Sequence, residues 1–197
     1  MTDLKNYIDS FHTLSPETWN DIKILFTEKK LLPNDYFIQD NQTAKQIAFL
    51  QSGLVRAFYR NSDGKEYNKH FFQFPSFIGG YSSLITGNVN KINQQALTKC
   101  TILVADYAKF SALYTKHLDL EIAARKLAER YFVAKEDREI DLVLLDADKR
   151  YLLLQKEFPQ LEQLTTQYHI ASYLGISATQ LSRIRKKLSS HPISLHR

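Results

Sequence analysis

The chain has few of the residues that form covalent crosslinks, metal clusters or membrane spans. Its 197 residues include one cysteine, Cys100, so neither an internal disulfide nor a cysteine-ligated iron–sulfur cluster can form within one chain. No apolar run reaches the roughly 18 residues that a membrane-spanning helix needs. The first residues, MTDLKNYIDSF, carry acids where a signal peptide has a basic segment and then an apolar one. We therefore expect a cytoplasmic protein that does not enter a membrane.

Acidic residues are missing from the end of the chain. All 21 aspartates and glutamates lie at or before Glu162, whereas residues 165–197 contain five lysines and arginines. The net charge of +5 therefore resides in the last 33 residues. A neutral body followed by a cationic segment is typical of proteins that bind the phosphates of nucleic acids.

The cationic segment begins with a stretch, Thr166 to Leu188, that predicts two short helices joined by a tight turn. Apolar residues recur at i, i+1, i+4 in the first helix and at i, i+3, i+7 in the second. Gly175 lies where the turn needs positive φ, and Ser177 with Gln180 forms a capping-box pattern. The opposite face of the second helix is polar and cationic. This pattern indicates a helix-turn-helix that binds DNA, although a packed helix pair with a solvated cationic face would look similar.

The body of the chain predicts helices on both sides of a β-rich segment. We expect one helix in the first dozen residues and a second that begins after Ser15-Pro16 and ends near Lys30. From Tyr36 to Tyr107, short runs of Val, Ile, Phe and Tyr alternate with turn residues, and Asn61-Ser62-Asp63-Gly64 predicts a hairpin connection. Strands at this spacing predict a small antiparallel sandwich or barrel.

A long helix is predicted from Leu118 to Leu145, and a shorter one from Ala147 to Glu157. Along the long helix, apolar and small residues step alternately by four and three, which is a heptad-like seam. The helix could pack on its own β-domain, but the seam favours a symmetric dimer. Its residues are Leu120, Ala124, Leu127, Tyr131 and Ala134.

This order of parts resembles the Crp–Fnr family of bacterial transcription regulators, in particular members from Bacteroidetes-type bacteria. The resemblance covers essentially the whole chain and is most specific in IASYLGIS (170–177) and LSRIRKKL (181–188), with SGLVRAFY and FIGGYSS in the first half. It implies an α+β fold. A cyclic-nucleotide-binding-like β-roll (a double-stranded β-helix or jelly roll) with lead-in helices would occupy residues 1–117. A dimerisation helix would follow over 118–145 and a helix-turn-helix domain over 146–197. Only Ser189 to Arg197 follow the second helix, so the domain is winged-helix-like with a short or absent wing.

The same resemblance implies a dimeric, sequence-specific regulator of transcription. Its partners would be double-stranded DNA with a palindromic operator and a small effector of unknown identity, and RNA polymerase is a further candidate. We expect no enzymatic activity, catalytic residue, cofactor or metal.

Arg183 is the expected base reader on the second helix. At the positions where the family touches base edges, this chain has Ala178, Thr179 and Arg183, and only the arginine can pair bidentately with a guanine. Gln180 could read adenine, but its side chain can cap the helix instead. The nine candidates for contact with DNA are Gln167, Ser177, Ala178, Thr179, Gln180, Arg183, Arg185, Lys186 and Lys187.

The effector site departs from the cyclic-nucleotide-binding members of the family. Their Gly-Glu pair, which binds the ribose, corresponds to Gly79-Gly80, and their phosphate-binding Arg-Ser pair corresponds to Asn90-Lys91. Their base-contacting hydroxyls fall near Lys135-Glu136. Without these partners a buried anion is poorly compensated, so we do not expect cAMP to bind. Sensing of the fumarate–nitrate type would need several cysteines. The candidate pocket residues are Gly79, Gly80, Tyr81, Ser82, Lys91, Tyr131 and Lys135.

Two other classes of function fit the sequence less well. A cupin-like enzyme on the β-barrel would need an H-x-H pair, whereas His12, His70 and His117 are far apart and read as surface or strand histidines. Ser82-Ser83 lacks the glycines of a nucleophile elbow. An interaction module that binds RNA or an acidic partner through the basic tail is the other alternative, although the second helix offers no aromatic platform for single strands.

Overall fold

The computed structural model describes residues 1–190 of the chain, as nine α-helices and eight strands. In chain order the elements are α1 (Thr2–Asp9), α2 (Pro16–Lys23), β1 (Thr27–Leu31), β2 (Tyr36–Ile38), β3 (Gln46–Ser52), β4 (Leu54–Arg60), β5 (Glu66–Gln73), β6 (Ser76–Ile78), α3 (Tyr81–Thr86), β7 (Asn93–Ala96), β8 (Cys100–Asp106), α4 (Tyr107–Ala112), α5 (Leu118–Leu144), α6 (Ala147–Glu157), α7 (Leu161–Leu164), α8 (Gln167–Leu174) and α9 (Ala178–Ser190). A 3₁₀ turn, Leu113–Thr115, precedes α5.

The strands form two antiparallel four-stranded sheets, in the orders β1-β8-β3-β6 and β2-β7-β4-β5. One side chain in two along β3 and β4, such as Leu50 and Val55, lies in the core between the sheets. The other faces of these strands are also buried, because helices cover both sheets. Helices α1, α2, α4 and α5 pack on Phe49 and Leu103, and the C-terminal helices pack on Leu54 and Phe71. The predicted antiparallel sandwich flanked by helices is confirmed.

Strand β1 corrects the prediction that the second helix continues to near Lys30. Helix α2 is capped by Ser15 as predicted but ends at Lys23, and residues 27–31 pair with β8. The strand lies at a sheet edge and four of its five residues are exposed. Its charged sequence, TEKKL, therefore shows no apolar alternation, and pairing with β8 decides its conformation.

The link between β3 and β4 depends on Gly53. Its φ is +95°, and a Cβ there would lie 2.5 Å from Cys100 Sγ and 2.6 Å from Lys99 O. Gly64, in the predicted β4–β5 hairpin turn, also has positive φ (+78°) but nothing lies within 4 Å of a Cβ. Substitutions at the two glycines can therefore be compared to separate the effect of backbone strain from that of steric overlap.

We expect Gly53→Ala to lower the free energy of unfolding by about 3 kcal/mol, because a methyl group there adds overpacking to left-handed backbone strain. Gly64→Ala should cost only about 1 kcal/mol, from strain alone. Urea unfolding followed by circular dichroism measures both changes. Equal midpoints for the two variants would show that the β3–β4 turn relaxes around the methyl group.

Helix α5 begins and ends within one residue of its predicted limits, but the predicted seam faces inward. Leu120 and Leu127 pack in the core formed with α1 and α2. Ala124, Tyr131 and Ala134 line a cavity between α5 and the β-roll. Packing of the helix on its own β-domain explains the first half of the seam, whereas Tyr131 and Ala134 remain exposed. The interpretation of this seam as a dimer contact stays a prediction.

The C-terminal helices form a small core of their own, in which Ile170, Leu174, Leu181 and Ile184 are buried. Helix α6 has the predicted bounds. The predicted short or absent wing concerns residues 191–197, which lie outside the described residues. Within residues 1–190, no helix is both long and apolar enough to cross a membrane.

Candidate functional site

Helices α8 and α9 are joined by a short turn whose geometry follows the predicted signals. Gly175 adopts φ +71° at the end of α8. The Ser177 hydroxyl accepts a hydrogen bond from Gln180 N at 3.1 Å, and Gln180 Oε1 accepts one from Ser177 N at 2.9 Å. This reciprocal pair satisfies two donors at the start of α9. The Gln180 side chain is therefore engaged in capping.

The predicted DNA contacts lie on an exposed surface, with Arg185 half-buried. Two of the cations already have acidic partners, since Arg185 lies 3.5 Å from Glu162 and Lys187 lies 2.5 Å from Asp148. Arg183 and Lys186 form no ion pair with any residue in the described part of the chain. These two positive charges are the ones most available to an external anion.

Helix α8 docks on the outer face of β5 through polar contacts that sequence did not predict. Ser172 Oγ donates to the carbonyl oxygen of Glu66 at 2.8 Å and accepts from Asn68 N at 2.9 Å. Asn68 Nδ2 donates to the carbonyl oxygen of His169 at 3.1 Å. Arg56 Nη1 donates to His169 Nδ1 at 3.1 Å. The helix-turn-helix region is thus held directly against the β-roll.

The docking contact is sensitive to acid. Burial, reinforced by the charge of Arg56 and opposed by that of Glu66, lowers the pKa of His169 to about 4. Since histidine titrates near 6.5 in an unfolded chain, the unfolded state binds more protons between about pH 6.5 and pH 4. The stabilising contribution of neutral His169 is complete above pH 6.5 and decreases as the pH falls towards 4.

We therefore expect the melting temperature to fall between pH 7 and pH 5, and to fall less in His169→Gln. Glutamine cannot take up the proton that destabilises the wild-type contact. Thermal melts of both proteins at the two pH values test this expectation. An equal fall in the two proteins would mean that His169 does not contribute.

A second contact ties α8 to α5. Arg138 Nη2 donates to the carbonyl oxygen of Tyr173 at 2.8 Å, and its guanidinium lies 3.6 Å from the centre of the Tyr173 ring. Because Arg138 also lines the cavity, one side chain joins the cavity to the helix that precedes the turn. Arg138 thus contacts α8 and the cavity at the same time.

The cavity has a volume of about 1010 Å³ and lies between the β-roll, α5 and the C-terminal helices. Five of the seven predicted pocket residues line it; they are Gly79, Tyr81, Ser82, Tyr131 and Lys135. Gly80 and Lys91 do not. A Cβ at Gly80 would lie 2.9 Å from Asn90 Oδ1, so this position is packed against the neighbouring loop. Lys91 is exposed to solvent.

Several polar residues of the cavity wall were not predicted from the sequence, among them Lys69, His70 and Gln94. Burial lowers the pKa of His70 to about 4, with contributions from Arg138 and Lys69. His117, by contrast, is buried away from the cavity and contacts Thr18 and Asp21. The sequence signal for Lys69 and His70 is their position between Tyr67 and Phe71-Phe72 within β5. Among residues 1–190, no group of histidine, cysteine or acidic residues is arranged to hold a metal ion.

Comparison with known proteins decides the fold. Residues 28–117 match the family model of the cyclic nucleotide-binding domain. A putative Crp/Fnr regulator from Eubacterium rectale is 14% identical, with a TM-score of 0.74 and coverage of 98% of this chain and 92% of that one. The chain has the Crp–Fnr regulator fold. The c-di-GMP responsive global regulator CLP of Xanthomonas campestris is 16% identical, with a TM-score of 0.69 and coverage of 93% and 96%. The catabolite activator protein of Thermus thermophilus is 19% identical, with a TM-score of 0.56 and coverage of 95% and 90%. No curated protein matches the sequence.

The position that corresponds to the ribose-binding glutamate of cyclic-nucleotide-binding relatives is closely packed. A Cβ at Gly80 would lie 2.9 Å from Asn90 Oδ1 and 3.1 Å from Ala44 Cβ and Ile38 Cδ1, and Lys91 lies outside the cavity. We expect isothermal titration with cAMP and cGMP to give no heat of binding at micromolar concentrations. Micromolar affinity for cAMP would show that the cavity binds the nucleotide through other groups.

Proposed function

We propose that the protein is a dimeric, sequence-specific DNA-binding regulator of transcription whose β-roll responds to a small effector other than cAMP. The observation that carries the proposal is the exposed cationic face of α9, which follows a capped turn. Two of its positive charges, Arg183 and Lys186, form no ion pair within residues 1–190. A helix presented in this way fits a major groove. Such a function places the protein in the cytoplasm, and contact with RNA polymerase stays a prediction.

Fluorescence anisotropy with selected operator DNA, scrambled duplex and single-stranded RNA at a stated salt concentration tests the proposal. We expect the operator to bind at least about 1,000-fold more tightly than the scrambled duplex. The affinity should fall as salt rises, because phosphate contacts release counterions. Equal affinity for single-stranded RNA and duplex DNA would favour the alternative of an RNA-binding interaction module.

The dimer contact that we propose lies on the outward face of α5. Its second half carries apolar side chains that are exposed; they are Phe132 (67%), Val133 (55%), Ile140 (48%), Val143 (82%) and Leu144 (74%). At about 100° per residue, they fall within an arc of about 120°. An exposed apolar stripe on one helix, interrupted here by Glu136, is typical of an interface. Two-fold pairing of this stripe would present two α9 helices to half-sites about 34 Å apart.

A further inference from the structure

The polar groups of the cavity point to the chemical class of its ligand, an inference that rests on the proposed effector function. Several of the charged side chains in its wall are already engaged. Arg125 pairs with Glu129 at 2.6 Å. Arg150 donates to the carbonyl oxygen of Leu145 at 2.7 Å, at the end of α5, and Arg138 is held by Tyr173. These contacts occupy terminal nitrogens of the three arginines, whereas Arg150 Nε is buried without a hydrogen-bond partner among residues 1–190.

Lys69 and Lys135 line the cavity from β5 and α5, which form its two main walls. Lys69 lies at an irregularity of β5, where Ala57 pairs with His70 and Phe58 pairs with Asn68, so that Lys69 has no partner on β4. It forms no ion pair within the described part of the chain. Lys135 comes from α5 and has only Glu139, 3.5 Å away on the exposed side of the helix.

The electrostatics of the two lysines agree with this placement. Burial and the positive charge of Lys135 lower the pKa of Lys69. Two like charges close to each other disfavour the protonated forms of both lysines. An anion placed between them would remove this cost and would form charge-assisted hydrogen bonds with both ammonium groups.

A buried acceptor shows that the cavity is suited to a polar organic molecule as well as to an ion. Gln94 is 4% exposed, and its Nε2 donates to the carbonyl oxygen of Gly79 at 3.0 Å. Its Oε1 has no hydrogen-bond partner within residues 1–190, although it lies in the cavity wall. Because buried polar atoms are rarely left unpaired, a donor from a bound molecule is the natural partner of this oxygen.

The rest of the lining favours an apolar body. Aliphatic and aromatic side chains from both sheets and from α5 form most of the wall, among them Phe72, Phe77, Ile78, Leu84, Ile92 and Leu127. We propose that the cavity binds an organic anion with a large apolar body, and that its carboxylate, sulfonate or phosphate lies between Lys69 and Lys135. This charged end is separate from the loop around Lys91 where cyclic-nucleotide-binding relatives hold a phosphate.

Two fluorescent probes with the same body test the proposal on the full-length protein without DNA. 8-Anilinonaphthalene-1-sulfonate carries a sulfonate, and N-phenyl-1-naphthylamine is its neutral counterpart. We expect the sulfonate to bind the wild type at least about tenfold more tightly than the neutral probe. In Lys69→Met/Lys135→Met the affinity for the sulfonate should fall at least about tenfold, while that for the neutral probe stays within about twofold. Methionine keeps the apolar stem of each lysine and removes its charge.

Lys91→Met is the matched control, because it removes a lysine outside the cavity. It should leave both affinities unchanged. Equal affinities of the two probes for the wild type, an unchanged sulfonate affinity in the double variant, or an equal loss in Lys91→Met would each overturn the proposal. If the double variant fails to fold, the single variants Lys69→Gln and Lys135→Gln replace it and should each weaken only the sulfonate. Loss of operator binding by the wild type would instead contradict the proposed function and leave the probe result intact.

Discussion

Replacing Phe132 and Val143 by aspartate is expected to convert the protein from a dimer to a monomer. Both side chains are largely exposed, at 67% and 82%, although each would gain roughly 1.5–3 kcal/mol from burial. On a straight helix they lie about 20° apart, so they point in the same direction from α5. In a two-fold contact each substitution occurs twice. The variant would thus lose four apolar contacts and would have to desolvate four carboxylates.

The loss of the dimer should also weaken operator binding by at least about 100-fold, because the two recognition helices would no longer bind as a linked pair. Light scattering at micromolar concentration measures the mass, and anisotropy with the operator measures the affinity. Val89→Asp is the control, since Val89 is also apolar and 54% exposed but lies near α3, away from α5. A dimeric mass for the double variant would show that another surface forms the contact.

Helix α5 has two apolar stripes, and spacing alone does not decide which of them forms the proposed dimer contact. Leu120, Leu127 and Tyr131 repeat at heptad-like intervals, yet they face the core and the cavity of their own protomer. The outward stripe that includes Phe132 and Val143 begins only half-way along the helix. A periodic pattern identifies an apolar face of a helix. Which face the β-roll covers depends on how the helix packs against the sheets. This packing depends on contacts between residues that are distant in sequence.

Local signals were sufficient for the C-terminal turn. Gly175, Ser177 and Gln180 act within a few residues of one another, so their conformation and hydrogen bonds follow from short-range chemistry. Strand β1 was not predictable in the same way because its pairing with β8 joins residues more than 60 positions apart. For the same reason, Lys69 and Gln94 could not be predicted as residues of one cavity. They come from strands β5 and β7, and only the fold brings both into the cavity wall.

The resemblance to the family identified part of the candidate pocket, but it assigned the positive charge of the pocket to a residue that does not line the cavity. Gly79, Tyr81 and Ser82 do line the cavity, because they belong to the segment around α3 that the family layout places there. The alignment places Lys91 where the family has its phosphate-binding arginine, but in the structure the side chain of Lys91 is exposed to solvent. A position inherited from an alignment fixes the backbone region, whereas the direction of a side chain depends on local packing such as that of Asn90 against Gly80.

The neighbours of Lys187 change the expected division of roles on α9. Lys187 Nζ already lies 2.5 Å from Asp148, so its removal would disturb α6 as well as any contact with phosphate. Lys186 is exposed and forms no ion pair in the described part of the chain. It is therefore the cleaner probe of a phosphate contact, and Arg183 is the probe of base reading.

Arg183→Ala is expected to lower operator affinity about 10- to 100-fold and to relax the preference at one base pair in each half-site. Its guanidinium is exposed and free of ion pairs within residues 1–190, so it can donate two hydrogen bonds to O6 and N7 of a guanine, worth about 1–3 kcal/mol of discrimination. Gln180 is a weaker candidate because its Oε1 accepts from Ser177 N at 2.9 Å. Binding of Gln180 to a base would break this hydrogen bond and remove part of the N-terminal cap of α9.

Lys186→Ala is the matched control for Arg183→Ala. It should weaken operator and scrambled duplex equally and reduce the slope of log affinity against log salt by about one unit, because a phosphate contact carries no sequence information. Binding of both variants to operators with each base pair replaced in turn, at several salt concentrations, separates the two effects. If Arg183→Ala weakened every duplex equally, Arg183 would be a phosphate contact. Base reading would then require Gln180 to leave its cap when α9 meets DNA.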